Sequence, residues 1–116
     1  MDDWDAVVAF ACTLPEVRME PWYGKPCPKL NGKALVSPGH EAGSFALYLH
    51  DMAEKPLLME TDPETFWETP HYRDYPMVLA RFGTPAGQRI ELYIRRRWWD
   101  VAKKAQRLAA HLEARP

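Results

Sequence analysis

Eleven prolines are spread along 116 residues, from Pro15 to Pro116. Each removes a backbone donor and locks φ, so a helix accepts one only in its first turn and a sheet only at an edge or bulge. The chain is therefore cut into short elements. The prolines are scattered rather than clustered, so no Pro-rich tract separates two folding units. With 47% apolar side chains, a chain of this length supplies one core and not two. A single domain over residues 1–116 is expected.

Periodicity assigns the elements between the prolines. Trp4, Val7, Val8 and Ala11 recur at helical spacing behind Asp2 and Asp3, which predicts a helix over residues 3–12 closed by Pro15. β-type runs follow at Arg18 to Tyr23, Lys29-Leu30, Lys33 to Val36 and Phe45 to Leu49. Asn31-Gly32 tolerates the positive φ values of a type I′ hairpin turn. Phe45, Leu47 and Leu49 give the last run one fully apolar face, and Ala46, Tyr48 and His50 give it a mixed one. Residues 51–60 predict a short helix interrupted by Pro56. Thr61-Asp62-Pro63-Glu64 carries a capping-box pair and a second helix or turn start. Met77 to Phe82 reads as a buried strand ended by Gly83. From Ala86, the positions Ile90, Ile94, Trp98, Val101, Ala105, Leu108 and Leu112 fall within an arc of about 80° and predict one long amphipathic helix. The expected fold is α+β: a compact antiparallel sheet packed by an N-terminal helix and a long C-terminal helix.

Two segments carry a family resemblance. Thr13-Leu14-Pro15-Glu16-Val17 resembles the helix-ending LPxV motif of the MmcQ/YjbR-like proteins. The run from Thr61 to Leu79, through Asp62-Pro63-Glu64 and Thr69-Pro70-His71-Tyr72-Arg73-Asp74-Tyr75-Pro76, resembles the DPExFF-x-TPHYRGYPxVL block of one branch. With the elements between them, the resemblance spans nearly the whole chain. It implies a fold like that of the bacterial frataxin homologue CyaY, and a DNA-binding, non-enzymatic role. Asp74 stands where that branch has Gly, which argues against a backbone conformation there that only Gly adopts.

Charge divides the chain. Residues 1–84 hold 7 Lys or Arg against 13 Asp or Glu, a net of −6, and residues 85–116 hold 8 against 3, a net of +5. On the expected long helix, Arg89, Arg96 and Lys103 repeat every seven residues and, with Arg107, form a cationic stripe beside Trp99 and Leu92. Such a stripe suits phosphates, with the indole available for stacking on a base. A plain solvated helix face, or Trp98 or Trp99 buried in a homodimer, accounts for the same pattern.

The second candidate is Thr69 to Pro76, where His71, Tyr72, Arg73 and Tyr75 lie between prolines that stiffen the backbone. Arg73 suits a phosphate or carboxylate, the two phenols a planar ligand or a peptide, and His71 proton exchange near neutral pH. The bland alternative is a pinned loop whose tyrosines close the core edge and whose Arg73 pairs with Glu68 or Asp74.

Catalysis, metal and cofactor binding find no motif. His40, His50, His71 and His111 form neither HxxxH nor HExxH, Cys12 and Cys27 lack CxxC spacing, and no Gly-rich phosphate loop appears. Asp2, Asp3 and Asp5 are similar to the acidic helix on which frataxin-like proteins hold iron, but they are also ordinary helix-start residues. The acidic N-terminus and the absence of a long apolar run predict a cytoplasmic protein with two free thiols.

Overall fold

A computed structural model describes residues 1–116. Helix α1 is Trp4–Ala11, and Asp3 caps it by accepting the Ala6 amide at 2.8 Å. Strands β1 (Arg18–Trp22), β2 (Lys25–Leu30) and β3 (Lys33–Ala34) then form one antiparallel sheet. Both of its turns have two residues. Asn31 and Gly32 sit at φ 53° and 78°, as their sequence predicts, and Tyr23 and Gly24 sit at 48° and 81°. The positive φ at Tyr23 holds a phenol at the tip of the first hairpin.

Strand β4 (Val36–Pro38) follows β3 after a bend at Leu35, and here the single expected sheet divides in two. Lys29 pairs with Ala34, so Leu35 falls opposite Pro28. The Leu35 amide reaches the Pro28 carbonyl at 2.9 Å, but proline has no N–H to return the bond and the ladder stops. The chain then turns into a second sheet of order β4-β5-β7-β6, with β5 at Ser44–Tyr48, β6 at Phe66–Trp67 and β7 at Met77–Arg81.

The inner face of this second sheet carries Val36, Phe45, Leu47, Val78 and Ala80. They pack with Val7 and Ala11 of α1 and with Ile90, Ile94 and Trp98 of helix α3 (Gly87–Val101). Each large side chain buried here contributes about 1.5–3 kcal/mol. The Trp98 Nε1–H donates to the Pro15 carbonyl at 2.9 Å, which ties α3 to the end of α1. Trp98 is thus a core residue, 1% exposed, and unavailable to a dimer surface.

Three expectations are corrected. Helix α2 (Glu54–Thr61) runs through Pro56, because the proline sits in its first turn, where its missing N–H has no partner to lose. Of the helix or turn expected at Thr61-Asp62-Pro63-Glu64, the turn forms, but the expected capping box does not. The Thr61 hydroxyl donates back to the Leu57 carbonyl at 2.6 Å, and Asp62 instead accepts the Thr65 and Phe66 amides of a turn into β6. The long C-terminal helix breaks at Ala102-Lys103, both extended, before α4 (Lys104–Ala109). Side chains from elsewhere take the last carbonyls of α3: Arg107 Nε donates to Trp99 at 2.9 Å, and Asn31 Nδ2 donates to Val101 at 3.3 Å. The tail then returns along α3, with Arg115 bidentate on Asp100 at 2.8 and 3.0 Å. No helix is long and apolar enough to cross a membrane.

Candidate ligand-binding site

The outer face of the second sheet positions the site. Cross-strand pairing places Ser37, Ala46 and Leu79 in one row and Tyr48 beside Met77 in the next. Thr69 to Pro76 crosses this face. Thr69 is extended, Pro70 opens a 3-10 turn over Pro70–Tyr72, and the Tyr72 amide closes on the Thr69 carbonyl at 3.0 Å. Asp74 has no positive φ, in keeping with a residue other than Gly there. The Tyr72 ring, 3% exposed, packs on Ala46 and Leu79 with Trp67 and Met77 beside it, forming a small second core.

A buried lysine holds this segment down. Lys55 of α2 is 3% exposed, and its Nζ donates to the carbonyls of Tyr72 at 2.7 Å and Arg73 at 3.3 Å and pairs with Glu68 Oε2 at 2.7 Å. A buried ammonium is tolerated only with such a complete set of acceptors. Lys55, not Arg73, is therefore the partner of Glu68. Arg73 points to solvent, with no acid within ion-pair reach.

Between the pinned segment and the tip of the first hairpin lies an open pocket of about 580 Å³. Ser37, Tyr48 and Met77 of the sheet form its floor; His71, Tyr72 and Tyr75 line one side, and Trp22 and Tyr23 of the hairpin line another, with His40 of the β4-β5 loop completing it. The His40 and His71 rings meet edge to face, centroids 4.1 Å apart, and His71 does the same with Tyr72 at 4.8 Å. The Tyr72 hydroxyl accepts the His40 amide at 3.3 Å, and the Tyr48 hydroxyl donates to Ser37 Oγ at 3.1 Å. Burial raises both phenols above the usual phenolic range, so each keeps its proton at neutral pH. No Lys, Arg, Asp or Glu lines the pocket.

The structure thus brings His71, Tyr72 and Tyr75 together and leaves Arg73 outside. Trp22, Tyr23, Ser37, His40, Tyr48 and Met77 were not singled out from the sequence. Tyr23-Gly24 between two β-type runs was a usable hairpin signal. Nothing local marks His40, which lies 31 positions before His71.

The cationic stripe is dispersed. The break at Ala102 puts Lys103 and Arg107 on a different axis from Arg89 and Arg96. Arg89 donates to Thr61 Oγ1 at 3.0 Å and Arg96 to the Pro116 carbonyl at 2.8 Å. Arg107 covers one face of the Trp99 ring at 3.7 Å, the indole N–H donates to the Leu112 carbonyl at 3.1 Å, and the half-buried ring packs against the core, so the expected stacking platform is already engaged by protein. Lys103 remains exposed. Asp3 serves as a helix cap, and Cys12 and Cys27 are unbridged thiols, the first exposed and the second buried. No family model matches the chain, and neither a curated protein nor a solved structure does.

Proposed function

We propose that this chain is a small-ligand-binding domain that holds a planar organic molecule, without chemical turnover, in the pocket between Thr69–Pro76 and the Trp22-Tyr23 hairpin tip. One observation carries the reading. The segment singled out by its composition is fastened by a buried lysine so that three of its four candidate side chains line a pocket rich in aromatic surface. Its volume lies inside the roughly 300–1,000 Å³ typical of small-molecule sites. Tyr23 and Tyr75 are 91% and 57% exposed, large rings left in water beside that pocket, where a ligand would cover them.

A thermal-shift screen of planar metabolites against wild type and Tyr75→Ala tests it. A ligand at ten times its Kd stabilises the native state by about 1.4 kcal/mol, and Tyr75→Ala loses that shift. A library in which no compound stabilises wild type more than it stabilises Tyr75→Ala removes the reading.

The resemblance to MmcQ/YjbR-like proteins supports a second reading, a DNA-binding module, which draws on the net charge of +5 over residues 85–116 and on exposed Arg89, Lys103 and Lys104. It requires affinity that falls steeply with salt and is weakened on all sequences alike by Arg96→Glu with Lys103→Glu. Absence of binding to single- and double-stranded DNA at low salt would end it.

A further inference from the structure

The hydrogen bonds of the pocket narrow the ligand. Tyr48 and Ser37 share one hydrogen bond between two hydroxyls, which uses one of their two protons. Whichever group donates, one O–H is left over. Ser37 is 1% exposed, so this leftover donor sits at the floor of the pocket. Tyr72 repeats the situation: its oxygen accepts the His40 amide, and its own proton has no acceptor within the protein. Two O–H groups without a protein acceptor therefore belong to residues that line the pocket, beside the imidazoles of His40 and His71 and a lining that is otherwise aromatic and thioether surface. A molecule that displaced water from them without offering acceptors would leave both unpaired, at a cost comparable to a lost hydrogen bond each.

Formal charge finds little compensation in either sign. No Lys, Arg, Asp or Glu lines the pocket, so a cation has no carboxylate to meet, and an anion would have only the His40 and His71 imidazoles, whose rings stand 4.1 Å apart, where both cannot carry charge without repulsion. A cation meets a further obstacle, because the Arg97 guanidinium already sits 4.5 Å from the Tyr48 ring centroid and occupies the π-system that a cation would seek. The four tyrosines and Trp22 instead offer faces and edges to a flat ring system.

We infer that the ligand is an uncharged, planar, fused-ring heterocycle carrying hydrogen-bond acceptors, ring nitrogens or carbonyl oxygens, on the edge that meets the Ser37–Tyr48 pair and Tyr72. This rests on the small-ligand reading of the same pocket. It assigns the tyrosine rings to stacking and the buried hydroxyls to selection among flat molecules of similar size.

Four bicyclic probes of nearly equal size separate the possibilities by calorimetric or ligand-observed NMR titration of the full chain: quinoxaline, neutral with two ring acceptors; N-methylindole, neutral with none; N-methylquinolinium, a cation; and naphthoate, an anion. Quinoxaline is expected to bind at least ten-fold more tightly than the others. Tyr72→Phe, and separately Ser37→Ala combined with Tyr48→Phe, should each weaken quinoxaline about five- to ten-fold, one hydrogen bond's worth, while leaving N-methylindole unchanged. Circular dichroism and melting curves check that these variants fold, and the wild-type probe ranking stands without them. If N-methylindole, N-methylquinolinium or naphthoate equals quinoxaline and is weakened by Tyr75→Ala, the inference is overturned and the pocket reading survives. If no probe binds wild type more tightly than Tyr75→Ala, the pocket reading falls and the inference with it.

Discussion

The ammonium of Lys55 lies 2.7 Å from the carbonyl oxygen of Tyr72, 17 residues along the chain. A helix side chain thereby completes the last carbonyls of a one-turn 3-10 helix, and Glu68 at 2.7 Å neutralises it. The pocket wall is held by this junction as much as by its own prolines.

Lys55→Met tests that junction. It strands Glu68, only 27% exposed, and two carbonyls, so the loss on urea denaturation should be about 3 kcal/mol, the usual cost of removing one partner of a buried pair. Adding Glu68→Leu should restore part of it. Losses for Lys55→Met and Glu68→Leu that simply add in the double variant would show that the pair itself is not coupled.

Trp98→Ala should cost about 3–5 kcal/mol, because it opens a cavity under α3 and frees the Pro15 carbonyl. Trp99→Ala, whose ring is only half-buried beneath Arg107, should cost clearly less. Comparable denaturation midpoints for the two would contradict the core placement of Trp98.

Gly39 precedes His40 and leaves no room for a side chain: a Cβ there would lie 2.7 Å from Ser44 Oγ and 3.2 Å from the Ser44 carbonyl. Ser44 Oγ donates to the Glu41 carbonyl at 2.6 Å and cannot yield without breaking that bond. Gly39→Ala should therefore cost about 1–3 kcal/mol and shift the His40 and Tyr72 resonances. A variant with wild-type stability and spectrum would refute the packing.

Burial raises the Cys27 thiol from 9.0 to about 11, against a small opposing pull from Lys29. Between those values the unfolded chain has released the proton and the native one retains it. The stability this thiol contributes is thus complete below pH 9.0 and lost as pH rises towards about 11, by about 2–3 kcal/mol for a two-unit shift. Melting curves across this range should be flatter for Cys27→Ala, the remaining slope belonging to Tyr48 and Tyr72, whose pKa values burial also raises. Below pH 9.0, a thiol reagent should modify exposed Cys12 at once and Cys27 only on unfolding. Two rapid equivalents would show the Cys27 site to be open.

Much of the architecture was legible because it follows from local rules. The Trp4–Ala11 helix follows from spacing and an Asp cap, the Asn31-Gly32 turn from permitted φ, and the β5 core face from alternation. What failed locally failed for tertiary reasons. After Gly87, in the first turn of α3, no Gly or Pro occurs up to Leu112, and the break at Ala102 arises where Asn31, from a distant hairpin, takes the carbonyl of Val101 and Arg107, returning from α4, takes that of Trp99. The basic stripe was inferred from a continuous helix and is dispersed by the same break.

Thr69 to Pro76 divides in the same way. Its prolines and aromatic side chains marked a rigid, ligand-suited segment from composition alone, because proline restricts the backbone wherever it stands. Which of its side chains would share a cavity depended on partners that sequence distance conceals: the Lys55 ammonium, the His40 ring and the hairpin tip at Tyr23. Propensity, capping and turn chemistry act over a few neighbouring residues and can be read in order. A pocket is a space between elements, and only their packing decides which side chains line it.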